Sequence, residues 1–255
     1  MGDVRLSPED AGRLRAELRL RLAGEPIGGF RDWYRAQHAL SEAGESALCA
    51  MLADDLWEVL SARPEGEGDV EGRLWNNAGA FYGTPGPGAS LERARSCFRR
   101  ALGAWGDDGE GRARALHNLG SALASLARSE DDLRGALAAF ERALDHRDET
   151  REIARAVTLH HLGIARRKLA ERSPETAAEE LPRSVSALDE ALALRQKHAL
   201  ARGAAATRFQ LGISLLALGR EAEGRAALDV AAGELEAAGQ GDQADLARRL
   251  SGRGE

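Results

Sequence analysis

Aromatic residues are scarce in this chain of 255 residues: Phe, Trp and Tyr together make up 4%. Proteins that stack nucleic-acid bases need repeated exposed rings, so a base-stacking sheet is not expected. Basic excess is missing as well. The 35 Lys and Arg against 41 Asp and Glu leave a net charge of −6, the wrong sign for a general nucleic-acid scaffold or a polybasic membrane binder. Only two cysteines occur, Cys49 and Cys97. They are too few for a disulfide framework or a four-cysteine zinc site, and they fit a reducing compartment. No run is long and apolar enough to span a bilayer, and Arg13, Arg15, Glu17, Arg19 and Arg21 break up the N-terminal segment where a secretory core would sit. Gly2 is present, but Leu6 stands where a myristoylation motif places Ser or Thr. A cytoplasmic location, with neither nucleic acid nor membrane as partner, is the expectation. Lysine is nearly absent, with Lys168 and Lys197 alone; beside so much Ala and Gly this reads as codon bias.

Strand signals are also missing, since no stretch alternates apolar and polar residues in β-branched or aromatic company. What is present is helical periodicity. Leu133, Ala136, Leu137, Phe140, Ala143 and Leu144 recur at three- and four-residue spacing and form one apolar stripe. Breakers separate such segments at Arg63–Gly66, Gly83–Gly88, Gly106–Gly109 and Ala238–Gly241. Ser7-Pro8-Glu9-Asp10 reads as an N-cap, a proline at the first helical position and acids in the first turn. With 43% hydrophobic residues, the chain has the means to bury a core.

Four segments share one frame, centred on Gly79, Gly120, Gly163 and Gly212, which lie 41, 43 and 49 residues apart. Trp75, Leu116 and Leu159 stand four residues before the first three glycines, and Leu119, Leu162 and Leu211 directly before the last three. A second helix follows each glycine and repeats a small–bulky–small pattern: Ala94–Phe98–Ala101, Ala136–Phe140–Ala143, Ser184–Leu188–Ala191 and Gly224–Leu228–Ala231. A glycine inside a helix costs about 1 kcal/mol relative to alanine, so its recurrence needs a reason. Without a Cβ it lets the paired helix pass close, while the small residue of the second helix does the same from the other side.

This frame resembles the tetratricopeptide repeat family, in a long-period form similar to bacterial and kinesin-light-chain-like variants, over roughly Glu71 to Ala238. The resemblance implies an all-α fold: a right-handed solenoid of antiparallel helix hairpins. Residues 1–68 are expected to form an N-terminal helical cap from helices near Pro8–Ala23, Gly28–Ala39 and Ser41–Ala62. About four hairpins follow over 69–239, and a C-terminal cap and tail over 240–255. The usual proline after the second helix is missing.

Catalytic templates are absent: no phosphate loop ending in Lys-Ser or Lys-Thr, no Gly-x-Ser-x-Gly elbow, no His-Glu-x-x-His. The acidic pairs Asp54-Asp55, Asp107-Asp108 and Asp131-Asp132 read as caps and turns, because adjacent residues do not share a helix face. Both cysteines sit in apolar helical runs and read as buried and structural. The chain is therefore expected to be no enzyme and to need no cofactor.

In the family's geometry the first helix of each hairpin lines a concave face, and the residue three before each repeat glycine points into it. Those residues are Asn76, His117, His160 and Phe209, with Asn77, Asn118, His161 and Gln210 one step on. Two readings stand side by side here, direct contact with a bound peptide and hydrogen bonds between neighbouring hairpins. His117 and His160 are too few ligands for zinc, so no metal is expected. Between Thr150 and Arg172 six basic residues face two acids, and the frame turns Arg114, Arg167 and Lys168 toward the groove. Further on, Phe209, Ile213 and Leu216 make it apolar. The carboxylate-clamp form of the family does not fit, since the matching lysines are missing. The implied function is an adaptor, scaffold or regulatory subunit whose groove takes another protein, through an acidic segment with an apolar anchor. The alternative is an enzyme or small-ligand sensor whose pocket lies in the N-terminal bundle, lined by Trp33, Tyr34, His38 and Trp57.

Overall fold

Helix starts follow the local chemistry read from the sequence. In the computed structural model, which describes residues 7–147 and 150–252, Ser7 accepts the Asp10 N–H at 3.1 Å and Pro8 opens α1 (Pro8–Gly24). The Gly2 and Leu6 positions weighed above lie outside the described residues. Ser90 caps α5 (Leu91–Ala104) and Asp108 caps α6 (Gly109–Ser125). Ser129 and Asp132 form a reciprocal capping box on α7 (Glu130–Asp145), each satisfying a backbone N–H of the other's end of the turn. The Asp107-Asp108 and Asp131-Asp132 pairs thus sit at helix starts. Twelve α-helices and a short 3-10 turn at Pro174–Thr176 account for the secondary structure of the described residues, with no strand among them, so the protein is all-α.

The chain divides into two compact units, Met1–Leu126 and Ala127–Glu255. The first holds α1, α2 (Pro26–Glu42), α3 (Ser46–Ser61), α4 (Asp69–Gly83), α5 and α6. Helices α1 to α3 pack on one another, α2 also meets α4, and α4, α5 and α6 pack mutually. One core runs through all of this, with Trp33, Leu52, Leu56, Trp75, Tyr82 and Phe98 among its buried members. The three N-terminal helices lie close to the segments read from the sequence. The third starts five residues later than expected, because Gly44 takes a left-handed conformation (φ 77°) in the turn before it.

The second unit holds α7, α8 (Glu152–Arg172), α9 (Ala177–Lys197), α10 (Ala201–Ala217), α11 (Glu221–Ala237) and α12 (Gly241–Ser251), each packed on the next in chain order. The frame glycines are contact points between paired helices. A Cβ at Gly79 would fall 2.7 Å from the Phe98 ring, one at Gly163 2.6 Å from Leu188 Cγ, and one at Gly212 2.7 Å from Leu228 Cγ. The bulky residue of the second helix therefore sits over the glycine of its own hairpin. The small residues contribute as well: Ser184 Oγ donates to Gly163 O at 2.7 Å, and Gly224 O would be 3.1 Å from a Cβ at Gly212. Gly120 belongs to the first unit and Phe140 to the second.

Both cysteines are buried and unpaired. Burial pushes the Cys97 thiol up to about 12, which leaves it un-ionised and unreactive at neutral pH. No helix of the described residues is long and apolar enough to cross a membrane.

Candidate functional site

The seven candidate contact residues distribute over both units. Asn76, Arg114 and His117 belong to the first, and His160, Arg167, Lys168 and Phe209 to the second.

In the first unit Asn118 Nδ2 donates to Asn76 Oδ1 at 2.9 Å, tying α6 to α4, and Asn76 is buried. Its amide oxygen is spent inside the protein, which is the interhelical of the two roles weighed for these positions. Arg114 is exposed, 3.9 Å from Glu110 one turn earlier, and His117 is half-buried.

In the second unit His160 is buried, and its Nδ1 lies 3.3 Å from Thr207 Oγ1 on α10. His161 stacks on Phe140 at 6.2 Å and meets His160 edge-on at 5.2 Å. Burial, with the charges of His161 and Arg195 behind it, pulls the His160 pKa down to about 3. Burial, then Arg195 and Lys168, pull that of His161 down to about 4. Both rings are thus neutral at physiological pH. Arg167 keeps only 12% of its side chain exposed, bonded to Glu171 and, at 3.2 Å, to Gln210 Oε1. Phe209 is buried against Leu228, Ala231 and Leu235. Lys168 is exposed. Among the seven, then, Arg114 and Lys168 are exposed, and Asn76, His160 and Phe209 are interior. The basic surplus on α8 is partly interior too. Arg166 is 8% exposed and bonds Glu180 at 2.6 Å and Glu141 at 2.5 Å.

The four side chains considered for a pocket in the N-terminal bundle separate into three places. Trp33 is a core residue, its Nε1–H donating to Leu52 O at 3.1 Å. Tyr34 and His38 line a recess of about 450 Å³ with Phe30, Gln37, Phe81 and Pro87. Trp57 lines another, of about 850 Å³, beside Asp54, Arg93, Arg95 and Arg99. There the Arg93 guanidinium lies 5.7 Å from the Trp57 ring and 5.6 Å from Tyr82, and pairs with Asp54 at 2.8 Å.

Sequence reading missed Asp55. It is not a cap or turn residue but a buried carboxylate, bonded by Arg15 at 2.5 and 2.9 Å and by Arg19 at 2.9 Å. Burial pushes its pKa up, but the two arginines outweigh that and hold the carboxyl below its ordinary range. The signal that could have found it is the run Arg15 and Arg19, one turn apart on α1, facing an acid in an otherwise apolar stretch of α3. No group of three or more His, Cys, Asp or Glu among the described residues is arranged to hold a metal ion.

No protein-family model matches the chain. No curated protein matches it in sequence either.

Proposed function

We propose that the chain is a non-catalytic protein–protein interaction module, an adaptor, scaffold or regulatory subunit, built as a tetratricopeptide-like, right-handed solenoid of helix hairpins behind an N-terminal helical cap. One observation carries this reading: the same contact recurs at equivalent positions, with Gly79 under Phe98, Gly163 under Leu188 and Gly212 under Leu228. Recurrent hairpins that cannot bury their faces alone stack and leave extended surfaces suited to recognition. The partner is another protein, engaged in the cytoplasm through an acidic segment with an apolar anchor. Arg114 in the first unit and Lys168 in the second, the exposed cations of the candidate set, would each add to the attraction for it. A native-lysate pull-down with the wild-type chain and with the Arg114→Glu/Lys168→Glu variant tests this. A partner retained by the wild type, released by moderate salt and lost in the variant supports the reading. A partner held equally by both chains places binding elsewhere.

A second reading, a small-ligand sensor in the N-terminal bundle, is favoured by the recess of Tyr34 and His38. Gln37 lines it and is 6% exposed, and its buried Oε1 has no hydrogen-bond partner among the described residues. Such an acceptor is costly unless something satisfies it. A compound library screened by thermal shift against wild type and Gln37→Leu separates the readings: a hit that depends on Gln37 supports the sensor.

A further inference from the structure

The junction of α9 and α10 holds a charge without a countercharge. Arg195, in the last turn of α9, is 8% exposed. Its Nη1 donates to Gly203 O at 2.7 Å and to Thr207 Oγ1, both neutral acceptors. No carboxylate of the described residues pairs with it, and Nε and Nη2 have no hydrogen-bond partner among them. Burial alone holds its pKa below the ordinary arginine value. The other interior arginine of this unit, Arg166, has two carboxylates for its one charge. A buried ion left to neutral partners is costly, so its retention points to a missing anion.

The surroundings form a site. Arg195 makes part of the wall of a recess of about 400 Å³ together with Ala199, Leu200, Ala204, Glu234 and Ala237. The guanidinium lies flat on Gly203, where a Cβ would come within 3.3 Å of Arg195 Cδ and 3.5 Å of Cζ. Glycine at that place spares the arginine a tight contact, and a branched side chain there would crowd it. Helix α10 starts at the same recess, and its N-cap residue Leu200 supplies no side-chain cap, so the first-turn N–H groups add positive partial charge. Glu234 also lines the recess but is bonded by Arg208 at 3.0 Å. With that pair neutralised, one positive charge remains. A monoanion matches it, and a dianion would meet the field of Glu234. The rest of the wall is short and aliphatic.

We propose that this recess binds a monocarboxylate bearing a short aliphatic group, the carboxylate on the free Nε–H and Nη2–H donors of Arg195 and the alkyl part against Leu200, Ala204 and Ala237. A guanidinium offers those two donors in the parallel geometry a carboxylate requires. Free short-chain acids and the C-terminus of a peptide both carry this chemistry.

The test uses the full chain and four probes at constant ionic strength: butyrate, butyramide, N-acetyl-Ala-Leu and its C-terminal amide. Binding is read by calorimetry and by the shift in melting temperature. At least one acid is expected to bind, with its amide at least tenfold weaker. Butyrate binding as tightly as the peptide acid identifies free acids as the source, and a peptide acid tighter by tenfold or more identifies a C-terminus. Arg195→Met should abolish the response, and Gly203→Val, which pushes the guanidinium off its seat, should weaken it at least tenfold. The proposal is overturned if neither acid binds, if the amides bind as well as the acids, or if either variant responds like the wild type. The acid–amide comparison on the wild-type chain decides the matter even if a variant fails to fold.

Discussion

Leu188 lies over Gly163, its Cγ 2.6 Å from where a Cβ at 163 would stand, and Ser184 Oγ donates to the same glycine's carbonyl at 2.7 Å. The two helices α8 and α9 meet at this point with no room for a methyl group. Gly163→Ala should therefore destabilise the second unit by about 1–3 kcal/mol, and Gly163→Leu by more, since overpacked interiors force backbone and rotamer shifts. Gly233 supplies the control. It is also helical, on α11, but nothing lies within 4 Å of its would-be Cβ. Gly233→Ala should stabilise by about 0.5–1 kcal/mol through helix propensity alone. Urea unfolding of both variants checks the contrast; effects of the same sign would mean that close approach is not what holds glycine at 163.

Ala199 takes a left-handed conformation, φ 52°, between α9 and α10. Its neighbours form the usual helix-ending pattern, with the Leu200 N–H on Arg195 O at 2.9 Å. At the equivalent turns before α3, α11 and α12 the left-handed residue is Gly44, Gly219 or Gly239. An L-residue there costs about 1–2 kcal/mol, part of which glycine gives back through its freer unfolded state. Ala199→Gly should raise stability by about 0.5–1 kcal/mol, measured as an upward shift in melting temperature.

Acid should loosen the second unit through its histidines before the carboxylates titrate. His160 and His161 have folded pKa values of about 3 and 4 against about 6.5 unfolded. Between these values the unfolded chain binds more protons than the folded one, so stability is intact above about pH 6.5 and falls as the pH drops toward 4. The loss amounts to a few kcal/mol, mostly from His160, since His161 is only half-buried. Carboxylates with lowered pKa values, Asp55 and Glu130 among them, begin to lose their contribution only near pH 4. Denaturation curves at pH 7.5, 6 and 5 should show the decline, and His160→Gln should flatten it. An unchanged slope in that variant would show that His160 is not buried as described.

How far the fold was legible depended on the range of the interaction concerned. Caps such as Ser7 and the Ser129–Asp132 box are set by residues three apart and could be read directly. The frame glycines could be read because one contact leaves its mark several times in one chain, and the partner residues Phe98, Leu188 and Leu228 were identified with them. Long-range choices left no such trace. Whether Asn76 reaches solvent or bonds Asn118, 42 residues on, depends on the close packing of α4 and α6. Phe209 and Ile213, one turn apart on α10, face the same core of Leu228 and Leu235, with Phe209 buried in it and Ile213 packed at its margin, and how deep each one sits depends on how far α11 covers that face. Arg195 shows no sequence mark at all: an arginine in the last turn of a helix is an ordinary surface residue until the packing of α10 against it buries it.

The ion cluster of α1 and α3 has a prediction of its own. Asp55 is 4% exposed, while the side chains of Arg15 and Arg19 keep 32% and 37% of their surface. The carboxylate carries the desolvation cost and the arginines can retreat to water. Asp55→Ala should cost about 2–4 kcal/mol, because Arg15 loses its carboxylate beside an apolar wall of Leu18, Leu22, Trp33, Leu52 and Leu56, and Arg19 keeps only Glu58. Replacing the whole cluster by apolar side chains, with Arg15→Met, Arg19→Met and Asp55→Leu together, removes both the attraction and the desolvation, and stability should return to within about 1 kcal/mol of the wild type. Glu58, which also pairs with Arg19, is well exposed and contributes little when left alone. Asp55→Leu alone, Arg15→Met with Arg19→Met, and the triple variant form a cycle with the wild type whose coupling term should be large, the two partial variants together costing far more than the triple one. A triple variant no more stable than Asp55→Ala would mean that the cluster contributes net binding between α1 and α3, not only specificity of their docking.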